Sequence, residues 1–102
     1  MIDMVTERQE QIESLCKQCH VESLALFGSA TSEAFNPDTS DLDFAVRFAS
    51  TTPAQHASRY FQLLHALEEL FERNVDLIEI DAVENPYVLN GIQSTRQVLY
   101  AA

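Results

Sequence analysis

Apolar and polar positions along the 102-residue chain follow two different periods, and the switches between them mark its elements. From Val5 to Cys19 the apolar residues Val5, Ile12, Leu15, Cys16 and Cys19 recur at helical spacing, with Thr6 and Gln9 in capping-box order. Glu22 to Phe27 is short and apolar-rich and runs into Gly28, which reads as a strand ending in a turn. Residues 30–40 read as a loop, with turn chemistry in Asn36-Pro37-Asp38-Thr39. Asp41 to Phe48 then alternates with a period of two. Leu42, Phe44, Val46 and Phe48 share one face, and Asp41, Asp43, Ala45 and Arg47 share the other. Thr52-Pro53 opens a helix whose apolar stripe is Ala57, Tyr60, Phe61, Leu64, Leu67 and Phe71. Val75 to Ile80 is a second strong strand. Asn85-Pro86 supplies a cap and a first-position proline for a final helix reaching about Tyr100. The order αβ(loop)βαβα predicts an α/β (α+β) fold, a small mixed sheet with helices packed on its apolar face.

The length accommodates one domain, and no repeat, linker or low-complexity tract divides residues 1–102. Sixteen acidic residues stand against six basic ones, a formal charge of -10. Such a field repels a phosphate backbone, which argues against direct nucleic-acid binding and suits divalent cations, a basic protein partner, or solubility alone. The N-terminus lacks the basic and apolar regions of a secretion signal, and no apolar run approaches the ~20 residues that span a bilayer. A cytoplasmic location with no membrane association is therefore expected, with Cys16 and Cys19 as reduced thiols.

One segment carries candidate chemistry: Leu26-Phe27-Gly28-Ser29, eleven intervening residues, then Asp41-Leu42-Asp43. Carboxylates at i and i+2 of a strand stand on the same face, close enough to repel unless a cation or a proton lies between them. An oxygen-only pair with room for phosphate suits a hard cation such as Mg²⁺. Asp76, between Val75 and Leu77, is a natural third member. The Gly28-Ser29 turn offers backbone N–H groups and a hydroxyl to a phosphate.

Together, Phe27-Gly28-Ser29-Ala30-Thr31, Thr39-Ser40-Asp41-Leu42-Asp43-Phe44, Val75-Asp76-Leu77-Ile78, Asn85-Pro86-Tyr87 and the closing Leu99-Tyr100-Ala101-Ala102 resemble the minimal nucleotidyltransferases of the DNA polymerase beta superfamily. These are antitoxins of modules whose other half is a helical HEPN protein. The resemblance implies the nucleotidyltransferase fold and an Mg²⁺-dependent transfer of AMP from ATP to a hydroxyl of a HEPN-like partner. It implies that Gly28 and Ser29 hold nucleotide phosphates and that Asp41 and Asp43 ligate two Mg²⁺ ions. By the same resemblance, Asp76 completes one metal site and helps activate the attacking hydroxyl. The alternative is an antitoxin of the same fold that neutralises its partner by binding alone. The chain departs from the family pattern in two ways. The Arg commonly found shortly after Gly-Ser is replaced by Ala30, Thr31 and Ser32, and the loop to Asp41 is one residue longer than the commonest spacing. Arg47 has the parity to share the Asp41/Asp43 face and is the candidate substitute for nucleotide binding. So small a chain leaves apolar surface for a homo- or hetero-oligomer.

Other signals point elsewhere. Cys16-Lys17-Gln18-Cys19-His20 matches the haem-attachment pattern, but that chemistry needs export, and both cysteines fall on the apolar stripe of the first helix. The same residues as a zinc site meet the same objection. His56 and His65 are nine residues apart, the wrong spacing for a helical metal pair. Glu68, Glu69 and Glu72 read as a solvated helix face, and Glu33 and Asp38 as turn and cap residues.

Overall fold

The computed structural model describes residues 3–31 and 41–102, the side chains of residues 29 and 30 excepted. A short helix α1 (Asp3–Thr6) and α2 (Gln9–Gln18) precede the strand β1 (Val21–Phe27) and a 3-10 turn over Gly28–Thr31. Then follow β2 (Leu42–Phe48), α3 (Pro53–Phe71), β3 (Val75–Glu79), a 3-10 turn over Ile80–Ala82, α4 (Pro86–Thr95) and β4 (Gln97–Ala101). The turn expected at residues 36–39 lies outside the described residues.

The four strands form one sheet in the order β3-β2-β1-β4. β1 is antiparallel to both β2 and β4, while β2 and β3 are parallel, with α3 as their crossover. The alternation in β2 is realised as expected, with Leu42, Phe44, Val46 and Phe48 all buried. They join Leu24 and Leu26 of β1 and Val75 and Leu77 of β3 on the face covered by α2 and α3. Cys16 and Cys19 belong to this core as free, buried thiols, as their place on the helix stripe implied. Burial raises both thiol pKa values, that of Cys16 to about 12.

Three expectations are corrected. The first helix is broken. α2 begins after Arg8, whose side chain makes no cap bond, so the cap residue of this helix is Arg8 and not Thr6. Arg8 instead donates to the Met4 carbonyl at 2.9 Å and lies over the Phe71 ring. Gln9 is used elsewhere, donating to the Leu99 carbonyl of β4 at 2.7 Å. The α3 stripe holds at Tyr60, Leu64, Leu67 and Phe71, which lie in or pack against the core, and fails at its other two members. Leu63, Leu67 and Phe71 are buried, whereas Ala57 is exposed and Phe61 is 55% exposed. Thr52 caps this helix through the Gln55 N–H, and Glu72, in the left-handed region at φ 53°, ends it.

The final helix also stops early. α4 starts where expected, with the Asn85 side chain accepting from the N–H groups of Tyr87 and Val88, but it ends at Thr95. Gln97–Ala101 forms β4 instead, because β1 would otherwise leave one side of its backbone unpaired. Tyr60 of α3 donates to the Leu77 carbonyl of β3 at 2.6 Å, so a side chain caps a backbone group on each outer strand. Among the described residues, no helix is long and apolar enough to cross a membrane.

Candidate active site

The parallel pairing of β2 with β3 places Asp43 directly opposite Asp76. Their apolar neighbours Leu42, Phe44, Val75 and Leu77 are drawn into the core, so both carboxylates stand on the opposite face of the sheet. Asp43 is half-buried, while Asp76 is exposed, as is Asp41 just ahead of β2. Burial, then the charge and hydrogen bond of Asp76, then the charge of Asp41, raise the Asp43 pKa from 3.8 to about 6. Burial and the two neighbouring carboxylates therefore favour the protonated form of Asp43.

The glycine turn closes over this pair. Gly28 has φ +74°, a conformation open to glycine and strained for side-chain-bearing residues. A Cβ there would sit 2.9 Å from Oδ2 of Asp43, so the absent side chain is what admits the carboxylate. Phe27 pairs with Asp43 across β1 and β2, which brings the turn and the acid together. The Gly28 N–H donates to Oγ1 of Thr95 at 3.1 Å, and the Gly28 carbonyl accepts from Oγ1 of Thr31 at 2.7 Å. Gly28 therefore contributes space, and its own N–H is already committed.

Asp43, Asp76 and Gly28 thus come together, with Asp41 near enough to act on Asp43 through its charge. Arg47 does not join them. It lies four residues further along β2, about 13 Å at strand rise, and its guanidinium grips Asp81 through contacts of 3.1, 3.0 and 2.8 Å. That ion pair borders a different cavity of about 320 Å³, lined by Val46, Phe48, His56, Glu79, Asp81 and Ala82, in which His56 contacts Glu79. Thr95 was missed by sequence reasoning because it fell in the interior of an expected helix, where a threonine carries no signal.

Among the described residues, no group of three or more His, Cys, Asp or Glu is gathered closely enough to hold a metal ion. The closely held members are Asp43 and Asp76, and Asp41 acts on Asp43 through its charge. Their chemistry, oxygen-only and anionic beside a turn that leaves them room, would suit a hard divalent cation.

Comparison with known proteins agrees with this geometry. The family model described as "Polymerase beta, Nucleotidyltransferase" matches residues 10–102. A Methanocaldococcus jannaschii protein named "Putative protein adenylyltransferase MJ1379" is 36% identical over 73 residues, which is 72% of this chain and 71% of that protein. A solved chain described as a "putative minimal nucleotidyltransferase" superposes with a TM-score of 0.69 at 27% identity, covering 94% of this chain and 95% of its own. A chain of a toxin-antitoxin complex with AMP-PNP gives 0.71 at 20% identity, covering 92% of this chain and 73% of that one. A chain of the complex between a tri-AMPylated Shewanella oneidensis HEPN toxin and an MNT antitoxin gives 0.67 at 18% identity, covering 96% and 73%. These last two resemblances are of fold. With its match over nearly all its length and the paired strand carboxylates beneath a glycine turn, this chain belongs to the polymerase beta nucleotidyltransferase family.

Proposed function

We propose that the chain transfers AMP from ATP to a hydroxyl on a HEPN-type partner protein and acts as the antitoxin of that pair. The observation that carries this reading is the register of Asp43 against Asp76 with Gly28 seated on the Asp43 carboxylate. The named relatives agree with it: one is named a "putative protein adenylyltransferase", and one neighbouring complex contains an AMPylated HEPN toxin.

Asp41, Asp43 and Asp76 are the residues that would hold Mg²⁺, which when bound supplies charge neutralisation and polarisation at the transferred phosphorus. The 3-10 turn at Gly28–Thr31 leaves its first N–H groups without partners inside the turn. In this reading the backbone of Ser29 and Ala30 serves the phosphates while Gly28 gives them access. Asp76, the exposed member of the pair, takes the proton from the acceptor hydroxyl. The hydroxyl oxygen bonds to the α-phosphorus and pyrophosphate leaves. The acceptor surface comes from the partner, consistent with an acidic chain of charge -10 and a basic or polar docking face.

The test is label transfer from α-phosphate-labelled ATP with Mg²⁺ to the proteins of the source lysate, with Asp43→Asn beside the wild type. A labelled band with wild type alone supports the transfer, and equal labelling by both refutes the site. Neutralisation by binding alone is favoured by one observation: Arg47, the candidate substitute for the missing Arg, is committed to Asp81. That reading requires Asp43→Asn to neutralise the partner as well as the wild type does.

A further inference from the structure

We infer that Thr95 is a positioning residue for the nucleotide site, holding the Gly28 turn against Asp43 through its side-chain hydroxyl. The inference rests on the nucleotidyltransferase reading above. Gly28 lies in a backbone region where no side chain of its own can hold it, so its geometry depends on what bonds its two peptide groups. Thr31 fixes its carbonyl and Thr95 fixes its N–H. The two bonds differ in origin. Thr31 belongs to the same turn and moves with it, whereas Thr95 is 67 residues away, at the end of α4.

The hydroxyl of Thr95 can act in only one sense. Oγ1 lies 3.0 Å from the Gly91 carbonyl, which can only accept, so its single hydrogen goes there. A lone pair is left for the Gly28 N–H. The α4 turn therefore sets the direction of the acceptor before any ligand arrives. Two residues later Gln97 pairs with Leu26, so the segment bearing Thr95 is anchored to the strand that leads into the turn. A hydroxyl held by helix and sheet thus clamps the residue whose missing Cβ gives Asp43 its place. This also accounts for a polar residue at the last position of α4, where capping alone would leave its second bond unexplained.

The experiment compares wild type, Thr95→Val and Thr95→Ser by two readouts. One is calorimetric titration with a non-transferable ATP analogue and Mg²⁺, giving affinity and stoichiometry separately. The other is the NMR shift and hydrogen exchange of the Gly28 amide in the ligand-free protein. Thr95→Val, close in shape but without the hydroxyl, is expected to bind about tenfold more weakly at unchanged stoichiometry, the scale of one hydrogen bond. Its Gly28 amide should exchange faster. Thr95→Ser should restore both. General destabilisation would lower the stoichiometry instead, because unfolded molecules do not titrate. Wild-type affinity in Thr95→Val, whatever the amide does, overturns the positioning role. Failure of the wild type itself to bind the analogue overturns the nucleotide reading and this role with it. The amide signature in that case still reports whether the Thr95–Gly28 bond exists.

Discussion

Replacing Asp43 by Asn should abolish transfer and, in metal-free buffer, make the protein more stable. The Asp43 carboxyl is raised from 3.8 to about 6, first by burial, then by Asp76, then by Asp41. A shift of roughly two units at 1.36 kcal/mol each sets an upper bound of about 3 kcal/mol on the cost of ionising it in the fold. The group is half-exposed, and solvent screening reduces that to about 1–2 kcal/mol. Because the folded pKa lies above the unfolded one, the folded chain holds the proton more tightly. The corresponding stability is fully present below pH 3.8 and is lost as the pH rises through about 6. Asn has the same shape, carries no charge and can donate to the Asp76 carboxylate, so it escapes that loss. In EDTA at pH 7.5 the variant should melt about 4–10 °C above wild type, and the two curves should converge near pH 4. A variant that melts at or below wild type at pH 7.5, or a difference that ignores pH, would refute the electrostatic account. Retained label transfer would refute the site.

Gly28→Ala forces a side chain into a left-handed backbone and within 2.9 Å of Oδ2 of Asp43. It should cost about 1–2 kcal/mol in urea unfolding and lower nucleotide affinity; an unchanged titration would show that the turn and the acid are uncoupled. Cys16 and Cys19 should resist thiol reagents in the native state at pH 8 and react once unfolded, since burial holds both thiols protonated. Because those folded pKa values lie above the unfolded 9.0, urea midpoints should fall as the pH rises past 9, and a flat profile to pH 11 would contradict the burial. Phe44→Ala removes a fully buried ring lying 5.9 Å from that of Phe71 and should cost about 3–5 kcal/mol by chemical denaturation. That is comparable to the whole stability of a domain this size, and a loss below 1 kcal/mol would mean that the sheet face is not packed as described.

The elements most legible in the chain were those with a strict local rule. The period of two from Leu42 to Phe48 named the core-facing side of β2 correctly, because alternation fixes which residues share a face, although Ala45 on the opposite face is also buried. Thr52-Pro53 and Asn85-Pro86 announced their helices because capping is settled within four residues. Where local signals competed, the reading failed. The spacing of Leu99 and Tyr100 fits a helix and a strand equally. Only the open side of β1 decides for the strand, and that lies more than seventy residues away in sequence. Phe61 and Leu63 exchanged roles because the register of a helix against a sheet depends on the sheet.

The sequence by itself determined that Asp41 and Asp43 share a face, that Asp76 lies in an apolar strand, and that a glycine precedes the loop between them. It also carried the family's motifs. Only the tertiary structure decided which of these meet. The parallel register of β2 and β3 sets Asp43 against Asp76, while the strand's length separates Arg47 and leaves it to Asp81. The folding of α4 onto β1 brings Thr95 to Gly28. The physical reason is one of range. Side-chain parity and capping are fixed by neighbouring bonds, whereas pairings across strands are chosen by how the whole chain satisfies its backbone and closes its core.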